Sequence, residues 1–177
     1  MGGTNIGGIK MDYIIRPVKI EDAVFINEIR RQDGVRENIM GITSERVTRT
    51  QSFINGLTEN DHMLVAEVEK DGVKIVVGVA SLSVNKSNRV RHSGSIGLMV
   101  NKDYHRMGIG RALMKNLIDI ADNWLMLIRI ELGAFTDNEK AINLYKSLGF
   151  EIEGTKKYAI IRNGKYENEY LMARYNI

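Results

Sequence analysis

The sequence predicts an α/β protein built as one domain around a mixed sheet. Segments whose apolar residues alternate, the period of a strand, are mixed with segments whose apolar residues recur every three or four positions, the period of a helix. At 177 residues, the chain has the length of a single domain. Its hydrophobic content of 44% and charged content of 27% are ordinary for a globular protein. It contains no internal repeat, low-complexity tract or linker.

Periodicity predicts the elements in the order β-α-α-β-β-β-α-β-α-β-β. The predicted strands are residues 12–18, 62–69, 73–84, 92–100 and 128–135, followed by a hairpin over residues 150–175. The predicted helices are residues 20–30, 44–57, 109–125 and 136–149. The third helix has the most regular apolar stripe, with Ile109, Leu113, Leu117 and Trp124 on one face.

Turn and cap residues predict where these elements begin and end. Lys70-Asp71-Gly72 and Asn163-Gly164 separate pairs of apolar runs and are typical of hairpin turns. Ser44 is predicted to cap the second helix. Thr136 and Glu139 have the spacing of a capping box at the start of the fourth helix.

Composition excludes several classes of function. The absence of cysteine excludes a disulfide framework, a cysteine nucleophile and cysteine-ligated zinc, and it fits a protein of the reducing cytoplasm. The three histidines are far apart in sequence, so we expect no metal site. The net charge of +3 is spread along the chain, and we expect no nucleic-acid partner. No segment approaches the roughly 20 apolar residues that span a bilayer, so we expect no membrane partner.

Residues 1–10 (MGGTNIGGIK) have no apolar core like that of a signal peptide. We expect a flexible leader or tag remnant there, and one domain over residues 11–177.

Residues 104–114 (YHRMGIGRALM) place Gly108 and Gly110 directly before an apolar helix. The start of a helix offers unpaired N–H groups and the positive end of its dipole, and glycine lets an anion approach closely, so this turn is typical of a phosphate site. A nucleoside triphosphate loop would need Lys where Arg111 stands. A dinucleotide loop would need a third glycine where Leu113 stands.

Residues 98–114 (LMVNKDYHRMGIGRALM) instead resemble the acetyl-CoA loop, [QR]-x-x-G-x-[GA], of the GNAT superfamily of N-acetyltransferases, with His105 in place of Gln or Arg. Residues 138–150 match the second family block, N-x-x-A-x-x-[LF]-Y-x-x-x-G-F. The closing segment resembles a bacterial subgroup that includes amino-acid N-acetyltransferases. The resemblance implies a single-domain fold whose mixed, mostly antiparallel sheet is flanked by helices.

The resemblance also implies acetyl-CoA as the cofactor. The implied cofactor-binding residues are Leu98, Met99, Val100, His105, Arg106, Met107, Gly108, Ile109, Gly110, Arg111, Asn138, Ala141 and Tyr145. Backbone N–H groups from Arg106 to Arg111 would hold the pyrophosphate. The N–H of Met99 or Val100 would polarise the thioester carbonyl, as an oxyanion hole does.

For catalysis, the resemblance implies Tyr145 as the acid, because a phenol with a pKa of about 10 keeps its proton at neutral pH. Asn138, two helical turns earlier, could contact the cofactor or cap its helix. The base is open. Ser95 stands where many relatives have a carboxylate and could hold a water that relays a proton, while His92, Glu131 or ordered water are alternatives.

The acceptor pocket is predicted in residues 31–38 (RQDGVREN), with Arg36 for a substrate carboxylate, Glu37 for an ammonium and Asn38 beside them. The expected substrate is a small-molecule amine, most readily an amino acid. A protein, polyamine or antibiotic acceptor is an alternative, as is a sensor that binds acetyl-CoA without catalysis. The closing hairpin could line the pocket or join two copies in a homodimer.

Overall fold

The computed structural model describes residues 2–6 and 9–177. The strands are β1 (Gly2–Ile6), β2 (Ile9–Pro17), β3 (Asp61–Lys70), β4 (Val73–Val84), β5 (Ser93–Val100), β6 (Arg129–Phe135), β7 (Glu151–Arg162) and β8 (Lys165–Tyr175). The helices are α1 (Ala23–Arg31), α2 (Val47–Asn55), α3 (Ile109–Asp119) and α4 (Glu139–Lys146). From β2 onward, this is the predicted order, which is confirmed.

β1 lies within the segment predicted as a leader and pairs antiparallel with β2. Met1, Gly7 and Gly8 of that segment lie outside the described residues, and the leader stays a prediction. In the part of the chain that the structure describes, no helix combines the length and the apolarity needed to cross a bilayer.

Both predicted helix caps are wrong. α2 begins at Val47 rather than after Ser44, because Glu45 is buried with its carboxylate 3.1 Å from Arg30 Nε, which holds the preceding segment outside the helix. α4 is capped by Asn138 rather than Thr136. The backbone N–H of Thr136 donates to the carbonyl of Asn168 on β8, so Thr136 still belongs to the sheet pairing.

The third helix is shorter than predicted. α3 ends at Asp119, and the chain continues as a π-helical turn over Ile120–Trp124. Trp124 is 78% exposed, so it does not extend the buried apolar stripe. Asp122, in the same turn, accepts two hydrogen bonds of 2.8 Å from the Arg174 guanidinium of β8. The change from α-helix to π-helix therefore coincides with a tertiary ion pair. The apolar stripe in the sequence gives no sign of this pair.

The described chain divides into two compact units. The first unit holds Met1–Leu82 and Gly97–Ile118. In it, β1 pairs with β2 and β2 with β3, both antiparallel. Its core is a cluster of buried side chains against which Met99 packs. The cluster comprises Ile26, Met63, Val65, Val76 and Val79.

The second unit holds Ser83–Ile96 and Asp119–Ile177. β5 starts here as a parallel neighbour of β6, and β8 pairs antiparallel with both β6 and β7. The β7–β8 turn is Asn163-Gly164, with both residues at positive φ (51° and 75°), which is the hairpin turn predicted. Because the described pairings are antiparallel except for β5–β6, the predicted mixed, mostly antiparallel sheet is confirmed.

Candidate active site

The glycine loop joins β5 to α3 in the first unit. After Val100, the chain makes a 3₁₀ turn over Lys102–Tyr104 and then passes through two left-handed residues, Arg106 (φ 63°) and Gly108 (φ 77°). The carbonyl of Gly108 accepts the N–H of Ala112 at 3.0 Å, which starts α3. The predicted loop is thus a sharp turn that ends at the N-terminus of a helix.

The loop is anchored at its base. The N–H of Asn101 donates to the carbonyl of Val77 on β4 at 2.8 Å. α3 lies so close to β4 that a Cβ atom at Gly78 would be 3.0 Å from Ile109 and 3.1 Å from Leu113. Because Gly78 has no side chain, the start of α3 rests directly on the backbone of β4. The position of the helix N-terminus is therefore fixed by the core.

His105 explains how the loop tolerates its departure from the family pattern. Its Nε2 lies 2.9 Å from the carbonyl oxygen of Val100. A carbonyl only accepts hydrogen bonds, so Nε2 carries the proton. The imidazole therefore ties the loop back to the end of β5. Sequence reasoning could not find this contact, since nothing in the residue order pairs positions 100 and 105.

The loop has several features that are typical of anion sites. The first N–H groups of α3 have no acceptor within the helix and lie at the positive end of its dipole. Left-handed residues such as Arg106 and Gly108 turn successive N–H groups toward one side, as in anion-binding nests. Arg106 is exposed and adds a formal positive charge. These properties are the ones expected of the phosphate site that the sequence predicts.

Replacing Gly108 with Ala should weaken acetyl-CoA binding by about tenfold, because the left-handed backbone costs an alanine roughly 1–2 kcal/mol and the loop must keep that backbone to bind. Isothermal titration measures the affinity. Gly72→Ala is the matched control, since Gly72 has φ +77° in a hairpin turn with no atom within 4 Å of its added Cβ. Equal acetyl-CoA affinity in the two variants would contradict the role of the loop.

The strand residues predicted to hold the pantetheine arm are Leu98, Met99 and Val100, and all three are half-buried. The side chain of Met99 packs against the core cluster of the first unit. The γ-methyl group of Val100 faces Gly78. Since the side chains of Met99 and Val100 pack against the core, the backbone of the strand is what remains for polar recognition.

In the second unit, Asn138 caps α4, and Ala141 and Tyr145 lie on that helix. The Asn138 side chain accepts a hydrogen bond from the N–H of Ala141 at 3.3 Å, so the helix-capping role is observed. Tyr145 is 7% exposed, and its ring centre is 6.1 Å from that of Phe150. Burial raises the pKa of Tyr145 to about 12. Its hydroxyl therefore keeps its proton throughout the neutral range.

The structure brings two of the candidate bases together. Ser95 is exposed on β5 and lies opposite Glu131 in the parallel ladder with β6. Glu131 is already engaged, because its Oε1 accepts from Arg129 Nε at 2.6 Å. The carbonyl of His92 accepts the N–H of Ile128, while its side chain stays exposed. The base therefore stays open between Ser95 with a water, Glu131 and His92.

The predicted acceptor segment, in the first unit, is bonded within itself. The Arg36 guanidinium lies 2.7 Å from Glu37 Oε1 and 2.8 Å from Asp33 Oδ1. Glu37 Oε2 accepts the N–H of Gly34 at 2.6 Å, and backbone hydrogen bonds lower the pKa of Glu37. Asn38 donates to the Gly34 carbonyl at 3.0 Å. The residues predicted to bind substrate thus also shape their own loop.

A contact that sequence reasoning missed links this segment to the glycine loop. The side-chain oxygen of Gln32 accepts the backbone N–H of Lys102 at 3.1 Å. Gln32 is also the C-cap of α1, directly after its last residue, Arg31. The end of α1 and the turn that precedes the helix N-terminus are therefore held together. Among the described residues, no group of three or more His, Cys, Asp or Glu side chains could hold a metal ion.

Comparison with known proteins agrees with this geometry. Residues 31–150 match the acetyltransferase (GNAT) family. The chain is 43% identical over 163 residues to the L-amino acid N-acetyltransferase AaaT of Escherichia coli K12, covering 92% of this chain and 98% of that protein.

Two solved structures have the same fold. The GNAT acetyltransferase of Streptococcus pneumoniae has a TM-score of 0.77 at 25% identity, covering 93% of this chain and 100% of that one. The acetyltransferase yncA of Salmonella typhimurium, solved with acetyl-CoA, has a TM-score of 0.77 at 21% identity, covering 92% and 93%. The predicted fold, cofactor and enzyme class are confirmed. With a family match over residues 31–150 and 43% identity to a member over nearly the whole of both chains, the chain belongs to the GNAT family of acetyl-CoA-dependent N-acetyltransferases.

Proposed function

We propose that this N-acetyltransferase acts on the primary amine of an amino acid. The observation that carries the proposal is the 43% identity with an L-amino acid N-acetyltransferase over nearly the whole of both chains. A polyamine acceptor would favour an acidic pocket. The segment between α1 and α2 instead pairs its acids with arginine, as Arg36 does with Asp33 and Glu37.

Bound acetyl-CoA supplies the acetyl group as a thioester. The N–H groups at the start of α3 are the proposed holders of its pyrophosphate, with Arg106 adding charge. The N–H of Met99 or Val100 is the proposed donor to the carbonyl that becomes negative during transfer. The Tyr145 hydroxyl, which keeps its proton because its pKa is about 12, is the proposed donor to the departing sulfur.

Ser95 is the proposed site at which the proton of the attacking amine leaves. A serine is a poor base at neutral pH, so its hydroxyl would orient a water rather than take the proton itself. Ser95 is exposed, which leaves room for that water. Glu131 and His92 stay as alternatives.

Arg36 is the proposed partner of the substrate carboxylate. Its side chain is 21% exposed, while its partner Asp33 is 83% exposed. An exposed ion pair contributes little free energy, so a substrate carboxylate can replace Asp33 at small cost. Glu37 and Asn38 hold the turn in which Arg36 sits.

A thiol-release assay against amino acids, their methyl esters, polyamines and peptides tests the acceptor class. We expect turnover with free amino acids and a KM raised by about tenfold or more for the esters, since removing a charge-assisted hydrogen bond costs about 1.5–3 kcal/mol. Faster turnover with polyamines or peptides would overturn the amino-acid proposal. If acetyl-CoA binds but no compound in the panel is acetylated, the result would favour a sensor that binds acetyl-CoA without catalysis.

A homodimer and a cytoplasmic location stay proposals. Light scattering, which measures the mass of the protein in solution, would test the homodimer.

A further inference from the structure

Gly133 of β6 and Glu169 of β8 lie directly against each other. A Cβ atom at Gly133 would be 2.2 Å from Oε1 and 2.8 Å from Cδ of Glu169. Any side chain at position 133 would therefore displace the carboxylate. A lone glycine inside a strand often marks a close approach by another group. Here, that group is the carboxylate of Glu169, which lies against the backbone of β6 at Gly133.

Only one of the two oxygens of the Glu169 carboxylate accepts a hydrogen bond from a described residue. Its Oε2 accepts a hydrogen bond from Lys156 Nζ of β7 at 3.1 Å. Oε1 has no donor among the residues that the structure describes. The Glu169 side chain is 13% exposed, whereas that of Lys156 is 56% exposed. A carboxylate withdrawn this far from water costs free energy unless it is paired, so Oε1 is suited to a further cation.

Glu169 shares a sheet face with Ser95. Ser95 lies opposite Glu131 in the β5–β6 ladder, and Gly133 is two residues further along β6, so all three positions point to the same side. Strands about 4.8 Å apart, with a rise of about 3.3 Å per residue, place Gly133 roughly 8 Å from Ser95. This separation suits a small molecule that reaches both.

Other acids are less available for a cation. Glu37, predicted to bind an ammonium, already has Arg36 on one oxygen and the Gly34 N–H on the other. Glu131 is bound by Arg129 at 2.6 Å. Glu169 has a single flexible lysine as its partner.

We propose that Glu169, seated on Gly133, binds the amino group of the acceptor in its ammonium form. This inference rests on the proposed amino-acid activity. The α-amino group of a free amino acid is mostly protonated at neutral pH, so it arrives as a cation. Binding at Oε1 holds it on the face of Ser95, where its proton is to leave.

Two single variants test the site by different routes. Glu169→Gln removes the charge, and Gly133→Ala places a methyl group where the carboxylate lies. The clashing atoms are the end of a flexible side chain, so Glu169 swings away and the fold persists. Each variant should raise the KM for the best amino acid by about tenfold or more, with the KM for acetyl-CoA within about twofold of wild type. The double variant should be no worse than either single variant.

The matched controls are Gly154→Ala and Glu167→Gln. An added Cβ at Gly154 meets no atom within 4 Å, and Glu167 is 31% exposed beside Arg162. Both controls should keep the wild-type KM for the amino acid.

Calorimetry gives a readout independent of turnover. With the enzyme saturated by coenzyme A, the amino acid should bind Glu169→Gln about tenfold more weakly than wild type. Its deaminated carboxylic acid should bind both equally. If wild type acetylates amino acids and Glu169→Gln keeps the wild-type KM, this inference is overturned while the proposed function stands. If wild type acetylates no amino acid, the proposed function is overturned and this inference with it.

Discussion

Tyr145→Phe should lower kcat by about a hundredfold or more, because a positioned general acid contributes roughly 10²–10⁴ to a rate. The affinity for acetyl-CoA should stay within about twofold, since the ring remains against Phe150 and only the hydroxyl is lost. Stopped-flow or steady-state thiol release measures kcat, and calorimetry measures the affinity. A kcat that does not change would place the acid elsewhere.

The pH dependence of kcat provides a second test of the role of Tyr145. Because burial raises the pKa of Tyr145 to about 12, ionisation of its phenol should not reduce the rate below about pH 10. Tyr166→Phe is the matched control, because Tyr166 is 68% exposed on the closing hairpin and should keep wild-type kcat. An equal loss in the two variants would mean that the effect is not specific to the buried phenol.

Arg16→Met should destabilise the protein by about 3–5 kcal/mol, because it removes the guanidinium from the buried carboxylate of Asp22 and leaves Glu67 with the exposed Lys74 at 3.5 Å. Arg16 donates to both oxygens of Asp22 at 2.8 Å and to Glu67 at 2.7 Å. Asp22 is 4% exposed and Glu67 is 9% exposed. For a chain of this size, the loss corresponds to a fall in Tm of roughly 6–20 °C by calorimetry.

The same variant predicts a pH effect with a defined sign. Burial opposes the ionisation of Glu67, but the hydrogen bond and charge of Arg16 outweigh it, so the pKa of Glu67 is lowered. Its contribution to stability is therefore complete above its unfolded pKa, about 4.3, and is lost as the pH falls through the lower folded value. The stability gap between wild type and Arg16→Met should narrow below about pH 4.

Arg49→Ala provides the control for this ion-pair effect. Arg49 is 68% exposed, and the buried carboxylate of Glu45 beside it keeps its contact with Arg30 at 3.1 Å, so the loss of Arg49 should cost at most about 1 kcal/mol. A loss as large as that of Arg16→Met would contradict the distinction between a carboxylate that keeps a close cation and one that loses it.

The order of helices and strands could be predicted because burial leaves a local period in the sequence. The glycine loop could also be predicted, since Gly108 is required by a left-handed backbone at one position. The helix starts at Ser44 and Thr136 were wrong because tertiary contacts of Glu45 and Asn168 decide them. Helix-capping rules use only the residues near the helix start. They do not include a partner from a distant part of the chain that binds the same segment.

The candidate site also has features that the sequence predicts and features that only the structure shows. The match of residues 138–150 to a family block places Tyr145 on a helix, but only the structure shows the burial that raises its pKa. Gly133 stands alone in a strand pattern, which signals a close approach, but the residue that approaches comes from a strand more than thirty positions later. Paired charges such as Arg36 and Asp33 are visible in sequence only as a mixed-charge segment.

The hydrogen bond from His105 to the carbonyl of Val100 has a consequence for the entropy of binding. It joins the end of β5 to the residue before the left-handed Arg106, so the backbone between these two points has fewer conformations to choose from. Conformational freedom that the folded loop has already lost is not lost again when a ligand binds. The side chain at position 105 therefore preorganises the loop, although it stands at a position where the family pattern has a different residue.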